Sequence, residues 1–199
     1  IEIPFTEDMT PKPQDPYGIA KYAAEQTLEC LAKVHSIEYV TLVPHNIIGP
    51  RQKYDDPYRN VVSIMTNLIL QKRRPIIYGD GEQTRNFSDI DDCIYCLDKL
   101  ITNKDIVSET FNIGPDEESI TINELYKILC NKLQYNEPAE YVNDRPNEVK
   151  HAICSSDKAR KYLNYQTSIN LSDSIDKVVD YIKKKGPKKF EYNYELEIN

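Results

Sequence analysis

Glycine is scarce in this chain, and long apolar runs are absent. Only 6 of the 199 residues are glycine, and none of them form the G-x-x-G-x-x-G spacing of a phosphate-binding turn. No run approaches the roughly 18 apolar residues of a membrane span, and the first residues lack the basic and apolar regions of a secretory signal. We therefore expect a cytoplasmic protein that makes no membrane contact.

Basic residues are also fewer than acidic ones. The chain has 25 Lys and Arg against 32 Asp and Glu, which gives a net charge of -7. Nucleic acids and anionic membranes need a basic face that displaces their counterions, so neither is expected as a partner. An anionic small molecule would need locally placed arginines to bind this acidic protein.

The cysteines give no metal-site pattern. There are 5 of them, and Cys93 and Cys96 form a single C-x-x-C with no second pair and no histidine at ligand spacing. An odd number of thiols, most of them inside amphipathic stretches, is typical of reduced cysteines packed in a core. The sequence predicts no metal site.

Helical and strand patterns alternate along the chain. An N-cap and proline at Asp15 and Pro16 begin the first helix, and Thr121 with Glu124 forms a capping box. Gly186 and Pro187 end the last helix. The predicted helices are 17–35, 59–72, 90–101, 122–133, 156–163 and 171–185, and the predicted strands are 38–43, 75–79 and 110–113. A hairpin-like excursion is expected after Asp80-Gly81, and the alternation predicts an α/β fold.

Tyr17 and Lys21 stand four residues apart at the start of the first predicted helix, so both side chains project from one face. The spacing alone is weak evidence, because Tyr95 with Lys99 repeats it late in another helix. The Tyr17 pair differs in following Asp-Pro and in having the small residues Gly18 and Ala20 beside it, which allow a close approach by a ligand.

Seven motifs in order give the chain a family resemblance: DPYGIAKYAAE (15–25), PHNIIGPRQ (44–52), RNVV (59–62), IIYGDGEQTRNFSDIDD (76–92), FNIG (111–114), DRPNE (144–148) and CSSDKARKYL (154–163). Together they resemble the NAD-dependent epimerase/dehydratase branch of the extended short-chain dehydrogenase/reductases, which contains UDP-galactose 4-epimerase. The resemblance implies the C-terminal part of a Rossmann-type parallel sheet domain and a smaller mixed α/β substrate-binding lobe.

The resemblance also implies roles for individual residues. Tyr17 would be the general base for the sugar 4-hydroxyl, with Lys21 on the nicotinamide ribose. A phenol is a poor base at neutral pH, and a nearby ammonium favours its phenolate form. Pro44 and His45 would flank the nicotinamide of NAD. The expected contacts to a nucleotide-sugar substrate are Asn46, Asn60, Val61, Ile76, Tyr78, Arg85, Arg145, Glu148 and Ala152.

The implied substrate roles differ along the chain. Asn46 would contact the diphosphate, and Ile76 with Tyr78 would hold the base. Arg85 and Arg145 would grip the diphosphate and ribose, which provides the local cations that an acidic protein needs. Taken singly, each of these residues has an ordinary structural interpretation as a turn residue, core aromatic or ion-pair partner.

The expected organisation is a second half of the cofactor domain at 1–50, substrate lobe at 51–88, cofactor domain again at 89–115 and substrate lobe at 116–199. Because the glycine-rich turn is missing, we expect this chain to be a C-terminal portion of a nucleotide-sugar 4-epimerase that is a homodimer when complete. A 4,6-dehydratase or keto-sugar reductase remains an alternative, as does a non-catalytic sugar-nucleotide-binding module.

Overall fold

The computed structural model describes residues 3–57, 60–145 and 149–191. Helices and strands alternate along this part of the chain, which confirms the α/β prediction. Its helices are α1 (Pro16–His35), α2 (Val61–Leu70), α3 (Ile90–Thr102), α4 (Ile122–Leu133), α5 (Asp157–Leu163) and α6 (Leu171–Lys185). Its strands are β1 (Val40–Pro44), β2 (Ile47–Ile48), β3 (Ile76–Tyr78), β4 (Thr84–Arg85), β5 (Ser88–Asp89), β6 (Glu109–Ile113), β7 (Ile120–Thr121), β8 (Glu140–Val142) and β9 (His151–Ala152).

Two parallel strand pairs lie end to end. β1 pairs with β6 from Val40 opposite Glu109 to Pro44 opposite Ile113, and β2 then pairs with β5. The break between the pairs falls at His45 and Asn46, where the chain passes from one pair to the next. Parallel pairing requires a crossover, and α2 and α3 lie between the paired strands in sequence.

The remaining strands form two further small sheets. β3 pairs in parallel with β8, and β4 lies between the antiparallel β7 and the parallel β9. The hairpin-like excursion expected after Asp80 and Gly81 is therefore wrong, since β3 and β4 pair with distant segments instead of with each other. Strands of two or three residues are too short to be stable as a local pair.

The buried apolar side chains form two clusters. One lies among α2, α4 and α6 and includes Met65, Leu129 and Ile175. The other covers the β1–β6 pair with α3 and α5 and includes Cys96 and Phe111. Full burial of an aliphatic or aromatic side chain contributes about 1.5–3 kcal/mol, so each cluster stabilises its own group of elements.

Cys93 and Cys96 belong to the second cluster and are buried, as core packing predicted. Burial raises the pKa of Cys93 to about 12 and that of Cys96 to about 11. Among residues 3–57, 60–145 and 149–191, His, Cys, Asp and Glu side chains form no group of the size that holds a metal ion. In the same ranges no helix has the length and apolar character needed to cross a membrane.

Candidate functional site

The start of α1 presents Tyr17 and Lys21 side by side. Asp15 caps the helix by accepting a hydrogen bond from Gly18 N at 2.5 Å, and Pro16 occupies the first turn, where no N–H donor is needed. Tyr17 is 72% exposed, and Lys21 Nζ lies 5.8 Å from its ring centroid. In the part of the chain that the structure describes, the Tyr17 hydroxyl makes no hydrogen bond, so it is available to a ligand.

The other pairs with this spacing are arranged differently. Lys99 Nζ lies 5.3 Å from the Tyr95 ring, but the Tyr95 hydroxyl donates to the carbonyls of Leu163 and Asn164 at 3.3 Å each. Tyr181, which stands four residues before Lys185, packs edge-on against Tyr54, with ring centroids 6.4 Å apart. Hydroxyl availability therefore separates the Tyr17 pair from the Tyr95 pair, which has the same spacing.

The turn after β1 is held from both sides. The His45 backbone N–H donates to Ile113 O at 2.8 Å, and its carbonyl accepts from Ser88 Oγ at 2.9 Å. Asn46 has a φ of 44° and donates from Nδ2 to Asn86 O at 2.9 Å. Asparagine tolerates this left-handed conformation better than most residues, which explains its place at the break between the strand pairs. The Asn46 side chain thus joins this turn to the backbone at Asn86.

His45 is half-buried beside Phe5, with ring centroids 6.5 Å apart. Burial lowers the pKa of the imidazole, because the charged form loses its hydration. At neutral pH the ring is therefore uncharged. An uncharged ring is compatible with a cationic nicotinamide nearby, whereas an imidazolium would repel it.

Tyr78 and Arg145 come together where β3 lies beside β8. Arg145 Cζ lies 3.9 Å from the Tyr78 ring centroid, which is a close cation–π stack. Gly79 follows with a φ of 65°, and a Cβ there would lie 1.9 Å from Asp144 Oδ1. The left-handed φ favours glycine here, and a larger residue would also force the Asp144 side chain to move. Ile76 is buried at the start of β3.

Arg85 and Ala152 are in register on β4 and β9. Arg85 Nη1 donates to the carbonyls of Thr84 at 2.8 Å and Lys150 at 3.0 Å. These contacts hold the guanidinium against the backbone of β4 and of the residue before β9. Ala152 is half-buried next to it, and Glu148, expected nearby, lies outside the described residues.

The N-terminal end of α2 contains Asn60 and Val61. Asn60 caps the helix by accepting from Val62 N at 3.0 Å, and it also donates from Nδ2 to Ile47 O at 3.3 Å. Its side chain therefore ties the helix start to β2, directly after the turn that holds Asn46. Val61 is the first helical residue and is half-buried.

Glu7 is a residue whose structural role the sequence did not suggest. Its Oε1 accepts a hydrogen bond from Asn112 N at 2.8 Å on β6, and Asn112 Nδ2 donates to Phe5 O at 3.3 Å. Phe5 also forms a parallel bridge with Cys154. The proline-punctuated start of the chain is thus fastened across the end of β6 near His45, although its sequence resembles an irregular loop.

A sequence profile of the NAD-dependent epimerase/dehydratase family matches residues 1–114, more than half of the chain. The chain belongs to this family.

Relatives in this NAD-dependent epimerase/dehydratase family support the assignment. The UDP-glucose 4-epimerase of Mycolicibacterium smegmatis is 27% identical over 92% of this chain and 58% of its own length. The crystal structure of UDP-glucose 4-epimerase from Thermotoga maritima with UDP-glucose is 32% identical and has a TM-score of 0.84, covering 93% of this chain and 59% of that one. UDP-glucuronic acid 4-epimerase from Bacillus cereus, solved with UDP-glucuronic acid and NAD, is 29% identical with a TM-score of 0.87, covering 94% and 58%. This chain therefore spans less than two thirds of each relative.

Proposed function

We propose that this chain provides the catalytic tyrosine and the substrate side of an NAD-dependent nucleotide-sugar 4-epimerase. Its substrate would be a UDP-hexose or UDP-N-acetylhexosamine, passing through a transient 4-keto sugar. The observation that carries the proposal is the exposed Tyr17 hydroxyl with Lys21 Nζ 5.8 Å from its ring. Relatives that are named 4-epimerases support it.

Tyr17 would accept the proton of the sugar 4-hydroxyl and return it in the second half of the reaction. Lys21 would hold the cofactor ribose, and its ammonium group favours the phenolate form of a neighbouring phenol. Pro44 and His45, at the carboxyl end of β1, would lie against the nicotinamide. NAD held there would supply hydride-transfer chemistry at C4 of the sugar.

The nucleotide end of the substrate would lie where Tyr78 stacks on Arg145. A guanidinium held 3.9 Å above a ring is already ordered, so it loses less entropy on binding a diphosphate oxygen. Ile76 and Tyr78 would pack against the base, and Arg85 would add a second cation. The remaining proposed contacts are Asn46, Asn60, Val61 and Glu148.

The test of the catalytic assignment is Tyr17→Phe in a polypeptide of full family length, assayed with UDP-glucose. We expect kcat to fall about a hundredfold or more with little change in nucleotide affinity, as for loss of a general base. Tyr95→Phe is the matched control, because it removes a hydroxyl from a pair with the same spacing. Equal losses of kcat in the two variants would refute the role of Tyr17.

Arg145→Ala tests the substrate subsite separately. We expect it to raise the Kd for UDP and UDP-glucose while kcat at saturation changes little, since the lost contact is the same in ground and transition states. Isothermal titration with UDP measures this directly. A loss of kcat with unchanged UDP affinity would contradict the division of roles.

Ala152 would set the size of the sugar that fits. A small side chain leaves room for a 2-N-acetyl group, whereas an aromatic ring at the same position would exclude it by steric overlap. We expect the full-length protein to accept UDP-N-acetylglucosamine and Ala152→Tyr to lose that activity while keeping UDP-glucose. If Ala152→Tyr changes neither activity, Ala152 is not the gate.

A nucleotide-sugar 4,6-dehydratase is the second candidate, because dTDP-glucose 4,6-dehydratases of Escherichia coli and Neisseria gonorrhoeae are 26% and 25% identical to this chain. Product analysis separates the two. A 4-epimerase yields an isomer of unchanged mass, whereas a dehydratase yields a 4-keto-6-deoxy sugar that has lost water. A full-length protein that only binds the nucleotide sugar, without turnover, would instead be a binding module.

The proposed organisation is a homodimer with cofactor-domain segments at 1–50 and 89–115 and substrate-lobe segments at 51–88 and 116–199. One element departs from a simple division. α5 lies within the last segment but packs on β6 and α3 in the second core cluster.

A further inference from the structure

A cavity of about 380 Å³ lies between the segment after β2 and the C-terminal end of α6. Four cationic side chains line it, namely Arg51, Lys53, Lys185 and Lys188. We call it the basic cavity. It shares no residue with the proposed nucleotide-sugar site, and the protein around it has a net charge of -7.

The acidic neighbours of the basic cavity do not balance its charge. Lys188 lies 3.5 Å from Asp55, and Lys53 lies 3.3 Å from Asp56. Arg51 and Lys185 have no carboxylate within ion-pair distance in the described ranges 3–57, 60–145 and 149–191. Two cations thus remain to attract an anion into the same concavity.

The buried side-chain amide of Asn67 holds two segments that line the basic cavity. Asn67 Nδ2 donates to Tyr54 O and to Lys188 O at 2.8 Å each, and Asn67 Oδ1 accepts from Lys188 N at 2.9 Å. Tyr54 in turn donates from its hydroxyl to Gly186 O at 3.0 Å. The backbone next to Lys53 and the backbone at Lys185 to Lys188 are therefore held together before any ligand arrives, which lowers the entropic cost of binding.

Helix electrostatics explain only part of this arrangement. Lysines in the last turn of a helix stabilise the negative end of its dipole, and this accounts for Lys185 and its neighbours on α6. Arg51 and Lys53 belong to a different segment, and the dipole of α6 gives no reason for them to converge on the same space. Arg51 also adopts a φ of 71°, an uncommon conformation for a non-glycine residue.

We propose that the basic cavity binds a small, free polyanion that carries adjacent phosphate groups. The Arg51 guanidinium presents a planar fork that matches two phosphate oxygens, and the Lys185 ammonium adds a point charge across the cavity. A diphosphate offers adjacent charged groups, one for each of the two cations. The proposal does not depend on the proposed epimerase activity, because its residues are different.

The test is a calorimetric titration of the 199-residue chain with inorganic pyrophosphate at low ionic strength. We expect saturable binding that weakens about tenfold in the double variant Arg51→Ala/Lys185→Ala, equivalent to about 1.4 kcal/mol. Lys183→Ala/Lys184→Ala is the matched control, since it removes two exposed cations next to Lys185 that do not line the basic cavity. The control should keep the wild-type affinity.

Three results would overturn the proposal. One is the absence of saturable pyrophosphate binding. Another is an equal loss in Lys183→Ala/Lys184→Ala, which would mean that only the overall charge matters. The third is a loss confined to Arg145→Ala, which would place the pyrophosphate in the nucleotide-sugar site. Far-UV circular dichroism of each variant shows that it is folded, so a loss of binding reflects the missing cations.

Discussion

Asp89 is the buried charge on which we expect stability to depend most. Its side chain is 0% exposed, caps α3 by accepting from Asp91 N at 2.9 Å and accepts from Ser174 Oγ at 2.6 Å. Lys177 Nζ lies 3.3 Å away on α6. The carboxylate thus ties α3 to α6, and through β5 it also supports the turn that holds His45.

Asp89→Ala removes all of these contacts and leaves buried groups without partners. Breaking a buried charge pair by removing one member costs about 3–5 kcal/mol, and the low end applies here because Lys177 keeps some access to water. For a protein of this size, about 3 kcal/mol corresponds to a Tm lower by about 6–12 °C. Urea unfolding followed by far-UV circular dichroism measures the free energy of unfolding, and a thermal scan gives the Tm.

Asp91→Ala is the matched control for Asp89→Ala. Asp91 binds the same lysine at the shorter distance of 2.7 Å, but its side chain is 59% exposed. An exposed ion pair contributes about 0–1 kcal/mol, so the control should lose little stability. If the two variants lose the same free energy of unfolding, burial does not determine the strength of this pair and the reasoning is wrong.

Three further predictions concern titration, capping and thiol reactivity. Burial lowers the pKa of His45 below its usual value of about 6.5, so the unfolded chain binds a proton at this residue before the folded chain does. The free energy of unfolding should therefore fall as pH drops from about 6.5 toward the folded pKa. His45→Gln should flatten this part of the pH profile, measured by urea denaturation. Thr121→Ala breaks the capping box and should cost about 1 kcal/mol in urea unfolding, whereas Thr102→Ala at the end of α3 should stay within about 0.5 kcal/mol. Thiol labelling at pH 8, mapped by mass spectrometry, should modify the exposed Cys30 in the native state. The buried Cys93, with a pKa of about 12, should react only after unfolding. Labelling of both thiols at the same rate would contradict the packing.

The helices were predictable where the sequence carries its own stop and start signals. The capping box at Thr121 and Glu124 places the start of α4 correctly, and apolar spacing before Gly186 gives the bounds of α6. The predicted 59–72 helix ends too late, because α2 stops at Leu70 and Lys72 has a φ of 60°. No proline or glycine marks that end, so the sequence offered no signal for it.

The strands were harder to predict because their partners are far away in sequence. Thr84 pairs with Thr121 on one side and with His151 on the other, and each strand involved has only two residues. Such short segments carry no alternating pattern, and a turn signal such as Asp80-Gly81 suggests a local hairpin instead. Their pairing is set by the packing of α4 and by the chain that follows β8, which only the folded structure reveals.

Two side chains of the candidate site, Asn46 and Arg85, have backbone contacts that their motifs do not predict. Asn46 and Arg85 match positions expected to bind substrate, yet in the structure Asn46 Nδ2 holds Asn86 O and Arg85 Nη1 holds two backbone carbonyls. These contacts do not exclude ligand binding, since an amide and a guanidinium each have several donors. They do mean that Asn46→Ala would disturb the turn after β1 as well as any ligand. Loss of activity in that variant would therefore not identify Asn46 as a ligand contact, whereas Tyr17, whose hydroxyl has no hydrogen bond within the described residues, allows a clean test.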